Sequence, residues 1–509
     1  MNSPSLYPFW GKGSAMSTDS NVRSDTRDAR PRSGLDAYFQ ISERGSTVER
    51  EIRGGLATFF TMAYIVVLNP LILGGAQDVN GRRLSLAALT TSTALVACVM
   101  TVLMGVVGRY PFAIAAGLGL NAVVAFQLAG QMSWPAAMGV VVLEGVVITV
   151  LVLTGLRQWV MDAIPLALKQ SISVGIGLFI AFIGFVDAGF VRRIPDAANT
   201  PVPVQLGVGN RLIGWPTVVF VFGLLLTILL VARRVRGAIL LGIVITAVFA
   251  IVLNAIVDVG PRVDAAGHVN PAGWGLTVPK FPHSLVASPD FSLLGAFSLG
   301  GSFAQVGVVL AVLFIFTIML SDFFDTMGTV IGVGNEGGLL DREGRLPGVG
   351  RVLLIDSLAA AAGGAASASS NTTYVESAAG VGDGARTGLA SVVTGLLFAV
   401  ALFLSPLVEV VPQEAATPAL VVVGFLLMRQ VADIAWTDPE IAIPAFLTIV
   451  LMPFSFSITN GIGAGFIAYV AIKAVRGRWR EPGLLLWIIA LAFVVYFAIA
   501  PIERLLGVS

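Results

Sequence analysis

Hydrophobic residues fall in long blocks along this chain, and polar residues collect in the short gaps between the blocks. After Arg53, apolar windows of about 18 residues or more recur towards the C-terminus, the length a bilayer crossing requires. The blocks predict crossings at 54–77, 86–107, 111–127, 134–155, 164–187, 214–232 and 236–257. After a polar segment they resume at 303–334, 351–365, 367–382, 386–410 and 417–435, with the remainder running to 503. This is the pattern of an all-α polytopic membrane protein of about 14 spans. It divides into a first repeat over 54–257, a polar inter-repeat segment over 258–302 and a second repeat over 303–503. Seven crossings in each half, an odd number, make the repeats inverted. The run Ile441–Val475 is long enough for one tilted crossing or for two short ones broken at Ser457–Gly461; the duplication favours the count of fourteen.

The third member of each set departs from the pattern in the same way. The span 111–127 carries Ala115-Ala-Gly-Leu-Gly-Leu-Asn121, and the tenth span, 367–382, carries Ala366-Ser-Ala-Ser-Ser-Asn-Thr-Thr-Tyr-Val-Glu376. Short, interrupted, polar segments at matching places in two halves point to a transporter's binding site, because irregular backbone survives at that depth only inside protein or beside a cavity. A further polar island, Leu320-Ser-Asp-Phe-Phe-Asp-Thr-Met-Gly328, follows the apolar run Val306–Leu320. Asp322 and Asp325, three apart, share one helix face at bilayer depth, where acids are costly and usually functional. Asp322, Asp325 and Glu376 are therefore read as one site.

Other polar residues carry less. Asp325, followed by Thr326, is equally readable as a structural acid bonded across helices, and Asn121 as a bridge between helices. Phe59, Phe60 and Tyr64 are readable as stacking on a flat ligand or as packing, and packing, the commoner role of aromatics on a membrane helix, is favoured. Glu144 is readable as part of a proton path or as a tie between two helices. His268 and His283 are too isolated for a metal site, and Gly332-Val-Gly334 and Gly337-Gly338 lack the Gly-Lys-Ser/Thr of a phosphate loop.

Composition agrees: 56% hydrophobic and 12% charged residues in a chain of 509 are not soluble proportions. A net charge of +1 gives no reason to expect nucleic acid, and a lone cysteine, Cys98, excludes an intrachain disulfide. Residues 1–50 mix Ser, Asp, Arg and Pro without an apolar signal-peptide core, and predict a disordered tail, with Met1 or Met16 as the start. A cytoplasmic N-terminus puts the basic tail, Arg109, Arg157, Arg233, Arg234, Arg236, Arg342, Arg345, Arg351 and Arg386 inside, which is the favoured orientation. No Ser/His, Cys/His or metal-ligand set lies in the spans, so an intramembrane enzyme is not expected.

Five stretches together resemble the hypoxanthine/guanine/adenine permeases (AzgA-like) of the nucleobase/ascorbate transporter superfamily. They are Leu56-Ala-Thr-Phe-Phe-Thr-Met-Ala-Tyr-Ile-Val-Val-Leu-Asn-Pro70, Gly117-Leu-Gly-Leu-Asn-Ala122, Asp322-Phe-Phe-Asp-Thr-Met-Gly-Thr329, Thr373-Tyr-Val-Glu-Ser-Ala-Ala-Gly380 and Phe454-Ser-Phe-Ser-Ile-Thr-Asn-Gly-Ile462. The resemblance covers about residues 40–480. It implies two inverted repeats of seven, with a core domain (54–155 plus 303–410) and a gate domain (164–257 plus 417–503). It also implies proton-coupled uptake of purine bases across the plasma membrane, no cofactor beyond the coupling proton, and often a homodimer. Asn121, Asp322 and Glu376 match the family's substrate-contacting residues, and Asp325 matches a second acid. One departure, Ala366-Ser-Ala-Ser-Ser-Asn-Thr where the family usually has a Gly-Thr-Ser-type run, puts the choice of base in doubt.

Purine chemistry fits these residues. The ring edge offers N–H donors and N and O acceptors, so the carboxylates of Asp322 and Glu376 can accept, and the Asn121 amide can do both. Backbone and side-chain groups of the broken spans, at Gly119, Ser370 and Thr373, complete the expected set. Burial disfavours a charged carboxylate, so one of Glu376, Asp322 and Asp325 can load a proton; Glu376 or Asp322 is the expected carrier, with Asp325 bracing the helix. The alternatives of the same architecture are a xanthine/urate or pyrimidine carrier, or an anion transporter.

Overall fold

The structure, a computed structural model, describes residues 34–156, 164–194, 203–263, 268–341 and 345–506. Residues 1–33 of the predicted tail, with Arg157 and Arg342, lie outside the described residues. The remainder of that tail is folded. Helix α1 (Gly34–Phe39) precedes α2 (Val48–Met62), and Arg44 between them donates to the carbonyls of Arg109 (2.8 Å) and Arg386 (3.2 Å). These ties correct the expectation of disorder through residue 50.

The first set continues with α3 (Ile65–Gly75), α4 (Leu86–Leu103), strand β1 (Ile114–Ala116), α5 (Leu118–Ala122), α6 (Trp134–Leu153), α7 (Leu166–Asp187), α8 (Trp215–Ala232) and α9 (Ala238–Val257). The second comprises α10 (Val308–Glu336), α11 (Val349–Ala365), strand β2 (Asn371–Thr373), α12 (Ser377–Gly382), α13 (Gly388–Ala401), α14 (Gln413–Met428), α15 (Pro439–Phe454) and α16 (Ile458–Val475). A last helix, α17, spans Gly483–Leu506. Among the described residues nine helices are long and apolar enough to cross a membrane, and shorter apolar helices accompany them.

Each interrupted span is a strand followed by a short helix. The two strands pair antiparallel, Ile114 with Thr373 and Ala116 with Asn371. The pairing explains how extended backbone survives at that depth, since each strand supplies partners for the other. Side chains supply more: Thr101 Oγ1 accepts from the Ile114 N–H at 3.0 Å, and Asp356 from the Thr373 N–H at 2.9 Å.

Helix contacts come in matched pairs. The packing of α4 on α13 is repeated by α11 on α6, that of α7 on α15 by α14 on α8, and that of α8 on α9 by α15 on α16. Two contacts map onto themselves: β1 on β2, and α7 on α14. In the second, a Cβ at Gly177 would meet the Gly424 carbonyl at 2.6 Å and one at Gly424 would meet the Gly177 carbonyl at 2.4 Å. This is what an inverted duplication produces around its two-fold axis.

The pairing also settles the C-terminal end. α15 and α16 form an antiparallel hairpin that breaks at Ser455–Ser457, with Glu440 at the start of one bonded to Lys473 (2.7 Å) near the end of the other. They are the counterparts of α8 and α9, so the second repeat closes at Val475 and not at 503. α17 is an addition packed on α16 and α10.

Two packing groups result. α2–α6 cluster with α11–α13, whereas α7–α9 cluster with α14–α16, and contacts between the groups are sparse. In the first group the loop after α3 is stapled to α6 by Asp78, whose carboxylate accepts from the N–H groups of Asn80, Arg82 (2.9 Å each) and Trp134 (3.2 Å). Burial pushes this carboxyl up, but the backbone donors outweigh it and leave it below its ordinary value.

Candidate functional site

Two adjoining hollows, of about 80 and 40 Å³, lie where the broken spans meet the second packing group. Both are lined by Gly119 and Asp325 from the first group's side and by Leu427 of α14 from the other. The larger adds Tyr64, Thr373 and Glu376; the smaller adds Ile172, Ser173 and Ile176 of α7. Each is well below the ~300–1,000 Å³ of a drug-sized ligand's pocket, the scale of a small solute.

Tyr64 reaches this place because α2 and α3 are interrupted at Ala63–Tyr64, and its hydroxyl donates to the Glu376 carboxylate. Glu376 stands just before α12, and the Tyr374 hydroxyl beside it donates to the Ala116 carbonyl at 2.5 Å, tying one broken span to the other. Asp325 lies midway along α10 and faces the hollow. Gly119 sits in the first turn of α5, where backbone N–H groups have no intrahelical acceptor. A Cβ there would press on Ile176 Cγ2 at 2.9 Å, so this position requires glycine for close approach to α7.

A buried polar layer supports the hollow from behind. Asp356 of α11, fully buried, accepts from the Thr373 N–H (2.9 Å), the Thr373 hydroxyl (2.8 Å) and the Thr326 hydroxyl (2.6 Å). Thr326 also pairs with Thr372 at 2.8 Å, and the Ser370 hydroxyl donates to Glu144 of α6 at 3.2 Å. Glu144 and Asp356 thus hold the second broken span against α6, α11 and α10.

The residues singled out from sequence are divided by this geometry. Asp325, Glu376, Gly119 and Thr373 come together on the hollow, though both Thr373 donors are taken by Asp356. Asp322 and Asn121 are fully buried and contribute no lining, and Ser370 faces Glu144. Sequence reasoning placed Tyr64 among packing residues and passed over Asp356. An acid inside the apolar run 351–365 is the same signal that marked Asp322 and would have found it.

A second contact between the packing groups involves the other end of α3. Leu68, Leu71 and Ile72 of α3 close over Asp187, Gln413 and Thr417, leaving a gap of about 10 Å³. Among the described residues, no group of histidine, cysteine and acidic side chains is arranged to hold a metal.

Residues 49–464 match the sequence model of the permease family. The chain belongs to the permease family. It is 36% identical to the guanine/hypoxanthine permease PbuG of Bacillus subtilis over 91% of this chain and 99% of that one. It is 35% identical to the adenine permease AdeP of Escherichia coli over 91% and 95%. The resemblance to the AzgA-like branch drawn from five motifs is therefore borne out, and the permease is a multi-pass membrane transporter rather than an enzyme. Among solved structures, the transmembrane domain of the cyanobacterial bicarbonate transporter BicA superposes with a TM-score of 0.58 at 12% identity, covering 82% of this chain and 97% of that one. At that identity the likeness concerns the fold alone, and it bears out the all-α, inverted-repeat architecture.

Proposed function

We propose that this permease takes purine bases into the cell across the plasma membrane together with protons, its N-terminus in the cytoplasm. The observation that carries the reading is the convergence of Asp325, Glu376 and Tyr64 on one small hollow where two broken spans meet. The carboxylates accept from ring N–H groups, and the backbone at Gly119 donates to ring nitrogen or carbonyl oxygen. The names of the relatives, guanine/hypoxanthine and adenine permeases, support the purine class. In this reading α2–α6 with α10–α13 form the substrate-holding core, and α7–α9 with α14–α16 the gate. In this reading the contact of Leu68, Leu71 and Ile72 with α7 and α14 is the outer gate, closed as in an inward-facing state.

Glu376 is the proposed proton carrier, with Asp325 beside it in the same hollow and Asp322 one turn away on α10. Two acids at the hollow disfavour the rival reading of an anion transporter, since fixed negative charge repels that cargo. A xanthine/urate or pyrimidine carrier is separated by competition. The test is uptake of radiolabelled hypoxanthine by purine-transport-deficient cells, challenged with unlabelled adenine, guanine, xanthine, uracil and a protonophore. The expected result is protonophore-sensitive uptake displaced by purines and lost in Glu376→Gln. Accumulation by Glu376→Gln that still depends on pH would remove Glu376 as proton carrier, and no nucleobase uptake by inserted protein would overturn the substrate class.

A further inference from the structure

A much larger hollow, about 480 Å³, opens on the flank of the molecule, in the seam between the two packing groups. One wall is a single face of α9, where Leu240, Val244, Ala247, Val248 and Ile251 recur at helical spacing. The other is formed by Phe60, Ala63 and Val67 around the α2–α3 break, with Leu404 and Val411 beyond α13. Phe281 and Pro282 of the inter-repeat segment close one end. The walls are almost wholly apolar carbon, and Phe60, Val244 and Val248 remain about half exposed. From Leu240 to Val252 the groove follows twelve residue steps of helix, roughly 18 Å, slightly more than half of a ~30 Å hydrocarbon layer.

The two ends differ in charge. Near Leu240 lies the loop between α8 and α9 with Arg233, Arg234 and Arg236, all exposed, and Gly237 of this loop packs under the Phe60 carbonyl. Arg53, two turns before Phe60 on α2, joins them. Asp383 offsets this charge in part: it pairs with Arg236 at 2.6 Å, and its carbonyl accepts from Arg53 at 2.8 Å. Arg233 and Arg234 are left facing solvent. The far end carries Asp258, Glu409 and Lys280.

We propose that this groove is a phospholipid site, in which an acyl chain lies along α9 between the packing groups and an anionic headgroup rests on Arg233 and Arg234. The chain would fill an apolar slot at bilayer depth, and exposed arginines near a membrane surface favour an anionic headgroup over a zwitterionic one. The site would bear directly on the hollow, since Ala63 lines the groove and the next residue, Tyr64, bonds Glu376.

Native mass spectrometry of the full chain released from nanodiscs of mixed palmitoyl-oleoyl phosphatidylglycerol and phosphatidylcholine tests this. The expected result is one retained phosphatidylglycerol. It should fall at least tenfold in Val248→Trp, which fills the groove from an exposed position, and stay unchanged in Leu229→Trp on the lipid-facing side of α8. In Arg233→Ala/Arg234→Ala the lipid should be retained but the preference for phosphatidylglycerol lost. Equal retention in Val248→Trp and the parent would overturn the site. So would a change of oligomeric mass in Val248→Trp with lipid retention unaltered, which would make this face a contact between copies. An adequate melting temperature for each variant separates a lost site from a lost fold, and none of these readouts depends on which solute is carried.

Discussion

At the scale of single residues, charge in an apolar setting was legible and partnership was not. Asp322 and Asp325 stand out in sequence because they extend an apolar run, and Glu376 because it sits in a polar island between two, but three positions on a helix separate a residue that faces a cavity from one that faces its neighbours. Asp325 lines the hollow and Asp322 does not, a distinction of rotation about α10 that no periodicity reveals. Tyr64 was hidden for the opposite reason: its aromatic body suits packing, and only the break at Ala63–Tyr64 turns its hydroxyl onto Glu376. Replacing it tests the partnership. A hydrogen bond to a charged group contributes about 1.5–3 kcal/mol in water-soluble proteins and about 1 kcal/mol between membrane helices. Tyr64→Phe should therefore raise the KM for uptake about fivefold to tenfold at unchanged membrane level; an unaltered KM would show that Tyr64 does not orient Glu376. Asp356 is a positioning residue by contrast. Asp356→Ala strips three hydrogen bonds from Thr373 and Thr326 and leaves a buried N–H without an acceptor, at a cost of about 2–4 kcal/mol. A lower melting temperature in detergent is expected, largely restored in Asp356→Asn, which keeps an acceptor for the Thr373 N–H; melting at the parent temperature would sink the assignment.

At the scale of elements, the apolar blocks gave nearly every long helix, because about 20 apolar residues admit few other structures in a bilayer. The interruptions at the third and tenth spans were equally visible, since Gly, Ser and Asn clusters do not belong in a plain crossing. Their strands were not visible: three residues each are too few to show alternation, and the pairing joins segments more than 250 residues apart. The hairpin of α15 and α16 was ambiguous because length alone fits one tilted helix or two short ones, and the matched contacts resolve it. Close approach of equivalent helices was also unreadable from an apolar pattern, as small residues signal it only in pairs. At the α7–α14 crossing, Gly424 leaves 2.4 Å between a notional Cβ and the Gly177 carbonyl. Gly424→Leu should force these helices apart, with a loss of about 1–3 kcal/mol, and should broaden the gel-filtration profile of the purified protein. A monodisperse, equally stable Gly424→Leu would mean that the crossing is not tight.

At the scale of the whole molecule, the inverted duplication and the sparse contacts between two packing groups make relative movement of those groups the simplest route to alternating access. Few side chains bridge the groups, and Arg236 to Asp383 is one bridge, joining the α8–α9 loop to the end of α12 at 2.6 Å. The chain makes this junction accessible to chemistry because Cys98 is its sole native thiol. In a Cys98→Ser background, Arg236→Cys with Asp383→Cys places two thiols across the seam, within reach of a short cleavable bis-maleimide. If the core slides against the gate during each cycle, the cross-link should arrest uptake of substrate while leaving binding in the trapped state, and cleavage of the linker should restore transport. Each single-cysteine variant treated with the same reagent should retain uptake, apart from any loss due to breaking the ion pair itself. Uptake that continues at the parent rate in fully cross-linked protein would mean that the two groups move as one, and the alternation would then have to be sought within the broken spans, where β1 pairs with β2 beside Glu376.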